Sequence, residues 1–184
     1  LEALRKLCEY GIIYAEQPVA TIEDMAALRF AIAKEGLPAR IAADESIRKA
    51  EDPLKVARAN AADLMVIKAA PLGGVRRALA LVEQAQLPAV VSSALESSVG
   101  IATGASLAAS LPTLKYGCGL GTVSLMAEDV TDEPLIARDG FMDLRTITPS
   151  PQRLARLATD EQTRQWWVDR VTACYRVLER AADL

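Results

Sequence analysis

Five apolar runs recur along this chain, each closing on polar or glycine-rich residues, with a helical pattern after each of the first four. They are GIIYAEQP, ARIAADES, DLMVIKAA, PAVVSSALESS and LKYGCGLGT. Their ends stand at Glu16, Asp44, Lys68, about Ser93 and about Gly119, in steps of 28, 24, 25 and 26 residues. That interval holds one strand, one helix and two short loops. Nearly continuous apolar strands alternating with helices argue for a parallel sheet covered by helices. A doubly wound sheet and a (β/α)8 barrel both fit. The regular period and the polar residue at every strand's C-terminal end favour the barrel, which keeps its chemistry there. A full barrel takes about 250 residues. The expected fold class is therefore α/β, a partial (β/α)8-type barrel of about five βα units, strands 4 to 8, within residues 1–128. Its first three strands would belong to a missing N-terminal segment of the same protein.

The helical patterns have boundary signals. The chain opens on Leu1 to Tyr10, which reads as the last turns of a helix closed by Gly11. Thr21 is an N-cap with Asp24 three residues on, Met25, Leu28 and Ile32 follow at helical spacing, and Gly36 and Pro38 stop the helix. Pro53 opens another. Gly73 and Gly74 turn into a helix bearing Val75, Leu79 and Val82 on one face. Val99 to Leu111 reads as a small-residue helix. After Thr122 the period is lost. Residues 129–148 read as a returning segment of a capping domain, with a hairpin at Asp139-Gly140. Residues 149–184 read as a helical tail from Pro151 to Ala182, broken near Thr159-Asp160. Trp166 and Trp167 on that tail are expected to dock on the rest of the protein.

Composition narrows the chemistry. With 21 basic and 24 acidic side chains, the chain has no excess positive charge for nucleic acid. No apolar run reaches the roughly 18 residues a membrane span needs. Neither nucleic acid nor membrane is an expected partner. Cys8, Cys118 and Cys174 are far apart, in neither a metal-ligand nor a disulfide pattern. No basic-then-apolar leader opens the chain, and a reducing, cytoplasmic location is the expectation. The sequence contains no histidine. Ser-His-Asp and Cys-His triads and His-ligated zinc are thereby excluded within this chain.

Side chains alternate along a strand. Tyr14 and Glu16 share one face, as do Ala42 and Asp44, and Val66 and Lys68; Glu45 points the other way unless the strand has already ended. If those faces line one cavity, two carboxylates and an ammonium converge from neighbouring strands. Carboxylates without histidine or thiolate suit a hard cation such as Mg2+. A lysine opposite such a cation serves a developing enolate. Ser92, Ser93, Glu96, Ser97 and Ser98 precede a helix start and, with the Gly119 loop, form a candidate site for a phosphate or a substrate carboxylate. Those serines also suit simple helix caps. Two rivals stay open: a Schiff-base lysine at Lys68, and a non-catalytic fragment.

The motifs YAEQPV, AADES and VIKAAPLGG, in this order and spacing, resemble the muconate-lactonising subgroup of the enolase superfamily, over roughly Gly11 to Met126. SSALESSVGI followed by GCGLGT narrows the resemblance to an actinobacterial dehydratase branch. The resemblance implies a Mg2+-dependent lyase of menaquinone biosynthesis that takes a small-molecule carboxylate and eliminates water in a syn sense through an enolate. It implies Glu16 and Asp44 as the second and third metal ligands. Glu45 would be a carboxylate neighbouring the catalytic Lys68, and Lys68 the cation facing the enolate. Ser93, Glu96, Ser97, Ser98 and Gly119 would lie on the substrate side. The first metal ligand and the proton-abstracting lysine would lie upstream of Leu1, so this segment alone would be inactive. N-acylamino acid racemase or dipeptide epimerase activity is the alternative within the superfamily.

Overall fold

The computed structural model describes residues 1–49 and 52–182. The chain starts with α1 (Glu2–Cys8), β1 (Ala15–Glu16), α2 (Ile22–Glu35) and β2 (Ile41–Ala43). Two short helices, α3 (Glu45–Arg48) and α4 (Lys55–Arg58), lead to β3 (Leu64–Ile67). Then come α5 (Val75–Ala85), β4 (Ala89–Val91), α6 (Ser98–Ala109) and a 3-10 turn at Gly121–Leu125. The tail carries α7 (Pro151–Arg156) and α8 (Glu161–Ala182).

The strands form one parallel sheet in the order β1-β2-β3-β4. Register pairs Glu16 with Ala42, Ala42 with Leu64, and Val66 with Val90. The fifth apolar run does not become a strand. Gly119 makes a single parallel bridge to Ser92, and the chain then turns into the 3-10 helix. Gly117, Gly119 and Gly121 leave alternate positions of this run without side chains to pack, which weakens a ladder. A side chain at Gly119 is also blocked, since its Cβ would lie 2.7 Å from Ser92 Oγ.

The two faces of the sheet differ. Ile41, Ala43, Met65, Ile67, Ala89 and Val91 join the larger core, with Met25 and Ile32 of α2, Ala78 of α5, and Ile101 and Leu107 of α6. Each buried Ile, Leu, Met or Val among them contributes about 1.5–3 kcal/mol. The other face carries Ala42, Leu64, Val66 and Val90, flanked by Tyr14 and Tyr116 in an edge-to-face pair at 5.6 Å. Among the described residues, no helix adds a buried side chain to that inner cluster. Helices on one face alone do not match the doubly wound alternative.

The boundary signals have clear causes. Thr21 Oγ1 accepts from Asp24 N at 3.0 Å, a cap of about 1 kcal/mol. Gly36 ends α2 in the left-handed region at φ 66. Arg138 and Phe141 exchange backbone hydrogen bonds around Asp139-Gly140, as a hairpin should. The tail breaks between Arg156 and Glu161, as its sequence suggests. The docking expected of Trp166 and Trp167 is corrected. They are 55% and 54% exposed, stack edge-to-face on each other at 4.8 Å, and Arg170 lies over the Trp166 ring. Val168, Val171, Tyr175 and Leu178 are exposed as well. The stripe shows that this helix has an apolar face, but among the described residues that face stays exposed. Among the described residues, no helix is long and apolar enough to cross a membrane.

Candidate active site

Alternation along the parallel strands carries the inner face upward from Ala42 to Asp44, from Val66 to Lys68 and from Val90 to Ser92, with Glu16 beside Ala42 on the edge strand. Glu16, Asp44, Lys68 and Ser92 thus stand at the C-terminal ends of consecutive strands on one face. Asp44 and Lys68 are both buried, at 3% and 8% exposure, and Lys68 Nζ donates to Asp44 Oδ2 at 2.6 Å. Arg48, one helical turn on in α3, brings Nε to 3.2 Å from Asp44 Oδ1 and forms a second ion pair with Glu45. The strand has ended before Glu45, which is the first residue of α3. Glu45 therefore meets the cluster through Arg48.

Asp44 Oδ1 is buried and makes no hydrogen bond among the described residues, although the Arg48 guanidinium lies 3.2 Å away. An unsatisfied carboxylate oxygen in such a place is costly. Glu16 stands on the adjacent strand. Glu16 is exposed at the edge of the sheet, yet partial desolvation of its carboxyl pushes it upward from its ordinary value, the Asp44 charge adds to this, and Lys68 works against it. Two neighbouring carboxylates, one with a buried oxygen that makes no hydrogen bond, suit a hard cation. Among the described residues no three acidic, cysteine or histidine side chains are grouped closely enough to hold a metal. Glu16 and Asp44 therefore fit as part of a ligand set.

The serine-rich segment is less open than its sequence suggests. Ser93 is buried with Oγ 2.8 Å from Thr122 Oγ1, facing away from Ser92. Glu96 folds back to accept from Ala94 N at 2.7 Å. Ser97 is the N-cap of α6 but makes no side-chain cap. Ser98 is fully buried. Its Oγ donates to Asp129 and accepts from Leu135 N at 2.7 Å, and its backbone N donates to both Asp129 oxygens at 3.2 and 3.3 Å. An anion does sit at the start of α6, but it is the Asp129 carboxylate, drawn there because residues 129–135 pack on this helix. Gly119 bridges Ser92 at the sheet's end, with Ser92 Oγ turned toward its carbonyl.

Two contributors escaped the motif reading. Arg48 belongs to none of the motifs, and its spacing of four from Asp44 was the available signal. Gln17 lies inside the YAEQP motif, and its amide reaches Asp44 N and Ser46 N.

The one-sided parallel sheet, with carboxylates and a lysine at its C-terminal strand ends, is an α/β arrangement of the kind found in enolase C-terminal domains. The chain belongs to the Enolase C-terminal domain-like family, whose model matches residues 1–149. Its sequence is similar to that of o-succinylbenzoate synthases. It is 55% identical over 165 residues to the one from Mycolicibacterium smegmatis, covering 90% of this chain and 50% of that protein. With the one from Mycobacterium leprae it shares 53% identity, covering 90% of this chain and 48% of that protein. The chain thus spans about half the length of the curated relatives it matches. In structure it is similar to the muconate lactonizing enzyme from Pseudomonas putida, with TM-score 0.72 and 29% identity over 86% of this chain and 46% of that one. The 2-chloromuconate cycloisomerase from Rhodococcus opacus 1CP gives TM-score 0.73 and 30% identity over 84% of this chain and 43% of that one.

Proposed function

We propose that this chain is the C-terminal part of the (β/α)8-type barrel of an o-succinylbenzoate synthase, a dehydratase of menaquinone biosynthesis. Its sheet would be strands 4 to 7, with the Gly119 run in the place of strand 8. The observation that carries the reading is the Asp44–Lys68 pair, buried on the inner face at the strand ends, with one Asp44 oxygen left without a hydrogen bond. The similarity to named o-succinylbenzoate synthases supports the choice of reaction.

Glu16 and Asp44 would hold Mg2+ together with a ligand from the remainder of the protein. When bound, the cation supplies positive charge where the substrate carboxylate gains negative charge. Lys68 faces the same region with an N–H group oriented by Asp44. It stabilises the enolate that forms once a base from the missing segment removes the proton alpha to the carboxylate. The hydroxyl on the neighbouring carbon then leaves on the same side as water, taking up the proton held by that base, and the ring becomes aromatic. Arg48 keeps Asp44 and Glu45 in place beside Lys68. Ser92, on the inner face next to Lys68, is better placed toward substrate than Ser93 or Ser98, which have internal partners. Donation from Lys68 to Asp44 favours this role over that of a free amine nucleophile.

The test compares substrates on the full-length protein. Formation of o-succinylbenzoate from the cyclohexadiene carboxylate is expected in Mg2+ and not in EDTA. Efficient racemisation of N-succinylamino acids with no dehydration would move the protein to the racemase reading. Borohydride trapping of a substrate adduct at Lys68 would move it to the Schiff-base class.

A further inference from the structure

We infer that Gln17 is the positioning residue that sets Asp44 against Glu16 for cation binding, an inference that rests on reading those two carboxylates as ligands. The backbone of Gln17 lies in the left-handed region at φ 38, unusual for a residue with a side chain. Its N–H donates to Ala42 O at 2.8 Å, closing the ladder one residue past Glu16. The left-handed turn sends the side chain across to the end of β2. There Oε1 accepts from Asp44 N at 3.1 Å and from Ser46 N at 3.2 Å. Nε2 donates to Val19 O at 2.9 Å and to Ser46 Oγ at 2.9 Å. Both donors and both acceptor positions of the amide are in use.

Asp44 needs such support. It stands at φ −114, ψ −73 as the N-cap of a four-residue helix, and its own side chain makes no cap. A helix that short does not hold its own start. Gln17 therefore fixes the Asp44 backbone through its side chain, and the end of the Glu16 strand through its main chain. One residue sets the spacing of the two carboxylates. Polar groups behind metal ligands commonly change affinity about 10–100-fold when removed.

The experiment uses the full-length protein and Mn2+ as probe, with free Mn2+ read by its paramagnetic resonance signal. Gln17→Met keeps the length of the side chain and removes its hydrogen bonds. It is expected to weaken Mn2+ binding about 10-fold or more. Ser46→Ala removes one partner of Nε2 and is expected to weaken binding by a few-fold; it serves if Gln17→Met does not fold. Thr21→Ala loosens α2, lowers the melting temperature and leaves Mn2+ affinity unchanged, which separates positioning from general stability. Loss of binding in Asp44→Asn with wild-type affinity in both Gln17→Met and Ser46→Ala would overturn the inference and leave the site reading intact. Wild-type affinity in Asp44→Asn and Glu16→Gln would instead overturn the site reading itself.

Discussion

Lys68→Met in the full-length protein, with metal removed by EDTA, takes away one half of a buried ion pair. Asp44 is then left at 3% exposure with Oδ2 stripped of its 2.6 Å Lys68 donor and Oδ1 making no hydrogen bond among the described residues. Breaking a buried pair by removing one partner costs about 3–5 kcal/mol. Arg48 remains, with Nε 3.2 Å from Oδ1, so the lower end applies, about 3 kcal/mol. That is roughly a 150-fold change in the unfolding equilibrium. The companion variant is Lys68→Met with Asp44→Leu, which removes both charges and adds apolar bulk beside Val66 and Ala42. Replacing a buried pair by apolar residues is often neutral or stabilising. The double variant should therefore regain most of the lost stability while remaining without activity. Urea unfolding followed by circular dichroism gives the four corners of the cycle. A single variant within about 0.5 kcal/mol of wild type would refute the argument, since the charges would then not share a buried site.

Three further outcomes follow from other contacts. Ser98→Ala strips Asp129 of a hydroxyl donor and Leu135 N of its acceptor in a buried place, and should cost about 2–3 kcal/mol in chemical denaturation, against at most about 0.5 for Ser97→Ala. Gly119→Ala brings a Cβ to 2.7 Å from Ser92 Oγ and should destabilise by about 1–3 kcal/mol, with a clear part of that recovered when Ser92→Ala removes the hydroxyl. Burial pushes the Cys118 thiol up from its ordinary value, only partly offset by the Val91 backbone, so its alkylation should lag that of exposed Cys174 and keep rising with pH above the usual thiol range; equal rates at pH 8 would contradict this.

Much of the fold was legible because its signals are local. Thr21, Gly36, Gly74 and the Thr159-Asp160 break act within a few residues, and each ends or starts the element it should. The shared face of Asp44 and Lys68 was legible because a parallel strand alternates strictly and the repeat puts strand ends level. What the sequence could not yield depends on contacts distant along the chain. Ser98 looks like a free cap until Asp129, 31 residues later, fills the helix start. Ser93 and Ser92 are adjacent, and the register that pairs Val90 with Val66 on the inner face tells which one faces inward. The apolar stripe of α8 shows periodicity, and periodicity does not say which surface it meets. Arg48 and Gln17 were overlooked because neither is a usual metal-ligand type; what marks them is their contact with Asp44.

The most direct test of the account is the turnover of the cyclohexadiene carboxylate by full-length protein carrying Lys68→Ala in saturating Mg2+. If Lys68 stabilises the enolate beside a cation held by Glu16 and Asp44, kcat should fall on the order of 100- to 1,000-fold or more while Mn2+ affinity stays measurable. Turnover within a few-fold of wild type would contradict it.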